Sequence, residues 1–314
     1  LVGTVTETHT EEENTMENTR TFAIDSAEYR EAYLLRLQGR ELNAEQRAAV
    51  SASAAIPTQT MNAIVSRLEL APIINAVDVT YIPGNVSYPV EGSVADAAWV
   101  AMGTAATDSA DTVTAIALGA FKLIKTVEIT ADVAAMAVDA FESWLVNRLA
   151  NKLQRAVAAG IMTGSGSSQA TGLSSLAATG TYTKVITYTD VMTIIAALPA
   201  EYMPGASFVM SRASFFGNVL NIQDTAKHPI VVADAQAPAK FNILGFPVIL
   251  EDAAGTDIYF GDLKEGYKFN FAKAPEITSD GSVAFRTGST VYRAMALADG
   301  KPTGKGIGRY TAGS

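Results

Sequence analysis

Hydrophobic positions recur most regularly over residues 130–162. Val138, Phe141, Leu145, Leu149, Leu153 and Ala156 step by three or four, while Asp139, Glu142, Asn147, Arg148, Asn151, Lys152 and Arg155 fall mostly on the other side. This period predicts an amphipathic helix over Thr130–Met162, capped by Thr130 or Asp132. At 1.5 Å per residue it would be roughly 50 Å long, well beyond an average helix. Shorter helices are predicted nearer the N-terminus. Asp25 or Ser26 opens one over Ala27–Leu37, with Glu28 at capping-box spacing from Asp25, and Gly39 closes it. Asn43 and Gln46 repeat the capping signature before a helix to about Ser51, and Met61, Ile64, Val65 and Leu68 return to helical spacing. Later, Asp190 caps a short helix bearing Val191, Ile194, Ile195 and Leu198, which Pro199 stops, and another runs over Ser214–Leu220.

Strand signals flank a weakly hydrophobic stretch. Val77–Ile82 and Tyr88–Val90 read as strands split by Pro83-Gly84-Asn85; Ala115–Leu118 and Phe121–Val127 read as returning strands. Between them, Gly92–Val113 is rich in Ala, Thr, Ser and Asp and has too few large apolar residues for a core of its own. The pattern predicts a long two-stranded projection with a flexible tip. Such a hairpin is marginal alone in water and needs a partner surface. Further strands are predicted at Ser207–Met210, Val248–Leu250, Ile258–Phe260, Tyr267–Phe271, Val283–Arg286 and Val291–Leu297, with loops at Gly160–Gly180 and over 221–245. The fold class is α+β.

Composition narrows the class. Of 314 residues, 48% are apolar and 18% charged, which excludes a disordered chain. No apolar run reaches the ~20 residues that span a bilayer, and residues 1–20 lack the apolar core of a secretory signal. Low charge with many small residues implies that other chains cover much of the exterior. The net charge of −9 is split unevenly: residues 1–45 hold ten acids against four bases, and residues 264–309 hold eight bases against four acids. An acidic protein is a poor general binder of DNA, itself a polyanion. The absence of cysteine removes disulfides, thiolate catalysis and Cys-ligated metals.

Candidate chemistry is sparse. Gly164-Ser165-Gly166-Ser167-Ser168 follows a helix and lacks the lysine of a phosphate loop, so it reads as a connector. Gly300–Lys305 is one residue short of a Walker spacing, with Gly306 where Ser or Thr would bind magnesium. His9 and His228 are the only histidines and form no metal or triad pattern; His228, before Pro229, reads as a surface residue. Asp108/Asp111 and Glu251/Asp252 are carboxylate pairs by spacing alone. Lys264, Lys268 and Lys273 alternate with Tyr267, Phe269 and Phe271, which marks a half-buried strand more than a nucleic-acid surface. No catalytic residue, cofactor site or metal site is assigned.

The order of elements carries a resemblance. Ile56-Pro57 precedes a helix and a strand; the lysine-free projection follows; Phe121–Thr130 (FKLIKTVEIT) runs into the long helix, which ends in Gly164-Ser165-Gly166 and Thr171-Gly172-Leu173. Phe208-Val209-Met210-Ser211, Leu244-Gly245-Phe246-Pro247-Val248, Ile258–Leu263 (IYFGDL) and Val291-Tyr292-Arg293-Ala294 complete the series. Over residues 55–298 the chain resembles the major capsid proteins of tailed bacteriophages with the HK97-type fold. The resemblance implies an N-arm at 1–55 and a peripheral domain with a spine helix at 56–77 and 126–184. It further implies an extended loop at 78–125, an axial domain at 185–245, and the last axial strands with a return to the peripheral domain at 246–314. It also implies Leu1 as the product of a protease cut.

By the same resemblance the chain is a structural protein and not an enzyme. Its copies form hexamers and pentamers of an icosahedral head around double-stranded DNA, bound without sequence specificity and without a membrane. The family's further partners are portal, scaffold, protease and decoration proteins, and its places are the virion and, during assembly, the host cytoplasm. Trp99, Val100 and Met102 near the loop tip are the candidate inter-subunit contacts. An encapsulin-type compartment shell is the alternative on the same fold; an enzyme using an acid pair or the Gly-rich loop is the alternative of another class. Some family members join a loop lysine to an asparagine of another subunit. Here no Lys or Arg lies between residues 68 and 121, so that cross-link is not expected.

Overall fold

The computed structural model describes residues 22–51, 56–92, 99–105, 112–130, 137–183, 185–233, 240–280, 282, 287 and 289–313. The N-terminal helices are α1 (Ala27–Leu37), α2 (Ala44–Ser51), α3 (Thr58–Leu68) and α4 (Pro72–Ala76). Ser26, rather than Asp25, caps α1, its hydroxyl accepting the Tyr29 N–H at 3.1 Å. Asn43 and Gln46 form the expected reciprocal cap, with Gln46 N donating to Asn43 Oδ1 and Asn43 N donating to Gln46 Oε1.

Four strands follow: β1 (Asp78–Thr80), β2 (Val86–Glu91), β3 (Val113–Leu118) and β4 (Phe121–Thr130). Strands β2 and β3 form a two-stranded antiparallel hairpin, from Val86 opposite Leu118 to Glu91 opposite Val113. The long helix, α5, spans Val138–Thr163, 26 residues or about 39 Å. It starts later than its sequence period suggested. Thr130 is the last residue of β4, where the strand alternation persists through buried Ile129, so it cannot cap the helix; Asp132 lies outside the described residues. Phe141, Leu145, Leu149 and Leu153 are buried as expected. Ala156 is exposed, and the buried stripe continues instead through Val157 and Ile161, four residues apart. Glu142, placed on the polar side by its type, is buried.

The remaining elements are β5 (Ala178–Tyr182), α6 (Tyr188–Ala196), β6 (Ala206–Met210), α7 (Arg212–Ser214) running into a π turn at Phe215–Val219, β7 (Val231–Ala233), β8 (Phe241–Ile243), β9 (Phe246–Leu250), β10 (Ile258–Asp262), α8 (Leu263–Gly266), β11 (Tyr267–Asp280), β12 (Ser289–Pro302) and β13 (Ile307–Ala312). Thr187 is the N-cap of α6, and Asp190 completes a capping box from the third helical position, correcting its assignment as the cap itself. The segment 221–245 is not only loop: it carries β7 and β8, each three residues long and too short to show a period. The expected strand at Val283–Arg286 lies outside the described residues.

The described residues of Leu1–Arg67, Ile124–Lys152 and Pro275–Met295 form one compact unit. Tyr29, Ala32, Ala49 and Val50 cluster in it, and Phe141 packs on Tyr292 with ring centroids 5.6 Å apart. The Tyr292 hydroxyl donates to the Leu37 carbonyl at 2.8 Å. The second unit holds Leu68–Leu123, Leu153–Ala274 and the described part of Ala296–Ser314. It contains a seven-stranded sheet in the order β5-β13-β10-β6-β9-β8-β7. Its middle strand β6 is buried at every residue, which explains its unbroken run Phe208-Val209-Met210. Phe208 and Phe260 sit 4.3 Å apart at the core, with Phe246 against both. A four-stranded sheet has the order β1-β11-β12-β4.

Candidate assembly interface

Buried polar side chains fix both legs of the hairpin. Asn270 on β11 is fully buried between Phe269 and Phe271. Its amide nitrogen donates to the Ile82 carbonyl at 2.9 Å, and its Oδ1 accepts both the Ile82 N–H and the Thr80 hydroxyl, each at 2.9 Å. With the Thr80 proton committed to Asn270, the Tyr88 hydroxyl donates to Thr80 at 2.6 Å. Lys268 Nζ lies 3.0 Å from Asp78 Oδ2 beside β1. On the returning leg, buried Asp299 of β12 accepts the Gly119 N–H and the Gly300 N–H, each at 2.7 Å. A carboxylate is buried at tolerable cost only when so satisfied. Burial, and then the Asp299 charge, push the Tyr267 hydroxyl far above its ordinary pKa. That hydroxyl donates to the Thr171 carbonyl at 2.8 Å. The hairpin therefore leaves the second unit from two pinned points.

Beyond β2, Trp99 and Met102 are fully exposed and Val100 is half exposed. The structure places these three residues on one short segment, and among the described residues none covers Trp99 or Met102. Lys122 and Lys125 both lie on exposed positions of β4, past the hairpin base.

The other sequence candidates have structural employment. Gly164 and Gly172 let two backbone segments touch: a Cβ on Gly164 would stand 2.2 Å from the Ala170 carbonyl oxygen, and one on Gly172 would stand 2.4 Å from Gly164 N. Gly172 N donates to Gly164 O, and Thr171 N to Gly300 O, each at 2.8 Å, so the Gly-rich loop is a tightly bonded connector. Asp252 pairs with Arg212, whose hydrogen bond holds its carboxyl below the ordinary range. Glu251 is pushed up by burial and caps the turn at Asp252–Ala254. His228 is exposed and faces Asp224 at 3.3 Å. In the Lys264–Lys273 segment, Tyr267, Phe269 and Phe271 are buried, and Lys268 is held by Asp78. His9 and Asp108/Asp111 lie outside the described residues. Among the described residues, no group of three or more His, Asp or Glu could hold a metal ion, and no helix is long and apolar enough to cross a membrane.

Residues that position these parts escaped the sequence reading. Asn270 and Asp299 are isolated polar positions on hydrophobic strands, and that contrast is their sequence signal. Arg309 on β13 donates to Asp257 at 2.8 Å and to the Ser174 and Leu176 carbonyls at 2.6 and 3.0 Å. It lies in a strand the sequence did not reveal.

Comparison with known proteins agrees with this architecture. A family profile described as "Phage capsid family" matches residues 52–306. Among solved structures, the capsid of a native GTA particle aligns at a TM-score of 0.63 and 20% identity, covering 77% of this chain and 90% of its own. The capsid of the empty GTA particle aligns at 0.65 and 19%, covering 78% and 90%. A structure from Mycobacterium phage Bobi aligns at 0.55 and 13%, covering 78% and 91%. A search of curated protein sequences finds no match. At these identities the structures establish the fold, the α+β HK97-type capsid fold.

Proposed function

The chain belongs to the phage capsid family and is a structural major capsid protein of the phage head; from that premise we propose that its extended hairpin, held at a fixed exit, joins copies into hexamers and pentamers of a closed shell. The observation that carries this reading is the pairing of a pinned base with an uncovered apolar tip. Asn270 and Asp299 hold the two legs, while Trp99, Val100 and Met102 lie exposed. Covering one tryptophan and one methionine removes on the order of 200–300 Å² of mostly apolar surface, or about 5–8 kcal/mol at 25 cal/mol per Å² before association costs. Repeated around a shell, that contribution adds to whatever other surface the copies bury against one another.

In this reading residues 1–55 are the N-arm, 78–125 the extended loop and 185–245 most of the axial domain. The shell encloses double-stranded DNA without reading its sequence, assembles in the host cytoplasm and takes its place in the virion. Portal, scaffold, protease and decoration proteins are its expected partners. Deleting residues 95–112 tests the loop's role. Folded, soluble subunits that do not close shells support it; normal shells from the deletion contradict it.

A further inference from the structure

The second unit contains an open apolar cavity of about 150 Å³. Its walls include Phe121 and Leu123 of β4, Val157 of α5, Ala170 of the Gly-rich loop and Phe269 of β11, with exposed Lys122 at the edge. Phe269, Val157 and Ala170 are otherwise buried, so the cavity reaches into packed core. A hollow of that volume has room for a benzene-sized apolar group. It is more apolar than the clefts at Tyr202 and Lys305 or at Glu91 and Lys268. Among the described residues, none fills it and none covers Trp99.

We propose that this cavity is the socket for the Trp99 side chain of a second copy. The inference rests on the shell reading above, which supplies identical copies as neighbours. Three observations select this occupant. Trp99 is a large aromatic side chain that lies fully exposed, and burying its flat apolar ring against aromatic and aliphatic walls would remove much apolar surface from water. The charges also match. The segment around the tip carries Glu91, Asp96, Asp108 and Asp111 with no base, whereas the cavity edge carries Lys122. The lysine ammonium can additionally lie over the indole face. Finally, the cavity walls begin three residues after Leu118, at the near end of the β2–β3 ladder, while Trp99 follows the far end of that ladder along the chain, with five register steps (roughly 17 Å) between those ends.

The chain has two tryptophans, Trp99 and Trp144. In a Trp144→Phe protein the fluorescence therefore reports Trp99 alone. On shell assembly its emission shifts to the blue and loses quenching by iodide. Ala156→Phe, at an exposed helix position lining the cavity, blocks the socket; folded subunits carrying it assemble at least tenfold more slowly and without the blue shift. Because the chain has no cysteine, Met102→Cys with Gln169→Cys gives a covalent readout independent of the blocked variant. The double variant forms disulfide-linked chains in shells, and neither single variant does so to the same extent. Shells that assemble with Trp99 still iodide-accessible, or with a shift unchanged by Ala156→Phe, or with no linked chains in the double variant, overturn the socket while leaving the shell reading intact. Failure of the Trp144→Phe and unsubstituted proteins alike to form shells counts against the shell reading, and the socket falls with it.

Discussion

Arg30 of α1 and Glu142 of α5 are joined by a charge-assisted hydrogen bond, Nε to Oε2 at 3.0 Å, reinforced by a second from the same guanidinium. The Glu142 side chain is only 9% exposed, and its other oxygen accepts the Thr60 hydroxyl of α3. One carboxylate thus ties three helices of the first unit. Removing Glu142 leaves the buried Thr60 hydroxyl without its acceptor and takes one partner from Arg30, whose side chain is 32% exposed and also faces Asp139. Glu142→Ala is expected to destabilise the protein by about 3 kcal/mol, whereas Glu142→Gln, which keeps an acceptor for Thr60, loses about 1–2 kcal/mol. Urea unfolding of the two variants checks both the size and the order.

Asn270→Ala removes the partners of both polar groups of Ile82. Ile82 is itself exposed, so water partly replaces these bonds; at about 0.5–1.5 kcal/mol net per bond, the expected loss is about 1–3 kcal/mol and falls on the outgoing hairpin leg. Hydrogen exchange at Ile82 and Val86 should accelerate well before the seven-stranded sheet opens. Uniform loss of protection across the second unit would show that Asn270 acts as ordinary core instead.

Burial raises the hydroxyl pKa of Tyr292 to about 12. The same cause, helped by the Asp257 charge, raises Tyr259 to about 12. A group raised in the folded state gives stability that is fully present below its unfolded value, about 10 for tyrosine, and is lost as pH rises through the folded value. Alkaline unfolding is therefore expected between about pH 10 and 12. Tyrosinate absorbance and far-UV circular dichroism should change together. Tyrosinate signal from all eleven tyrosines near pH 10, with helix content intact, would contradict the burial argument.

How much of this was legible depended on range. The Asn43–Gln46 cap and the Phe141–Leu153 stripe are local, and the sequence reading placed them where they are. The burial of Glu142 is decided by Arg30 and Thr60, which lie 112 and 82 positions away. No local pattern reveals that. Strand β13 was hidden because Gly308 and Arg309 interrupt its apolar alternation, and because its pairing to β5 and β10 is long-range. At the candidate interface, Trp99 stood out as a large apolar residue in a small-residue stretch. The cavity could not be read, since its walls come from β4, α5, the Gly-rich loop, β11 and β12.

The charge split between residues 1–45 and 264–309 predicts attraction between copies. Exposed pairs contribute about 0–1 kcal/mol each and are screened within about 10 Å at 0.1 M salt. The effect should appear in the rate of assembly more than in the stability of finished shells. Light scattering at rising ionic strength is expected to show slower growth, and a rate independent of salt would refute the attraction.

A lysine at the hairpin tip is required for covalent cross-linking of the kind some capsids use, and Lys122 and Lys125 lie instead on β4. Mature particles boiled in denaturant are expected to run as a single band near 33.0 kDa. A ladder of multimers would reveal a linking chemistry elsewhere in the chain.

The most direct test of the whole account is electron microscopy of the purified full-length protein under assembly conditions, with the particle contents analysed alongside. The account predicts closed icosahedral shells with hexameric and pentameric clusters, which hold double-stranded DNA when recovered from infected cells. Monomers or small oligomers under every assembly condition would contradict it, and shells that enclose a cargo enzyme in place of DNA would contradict its assignment to the phage head.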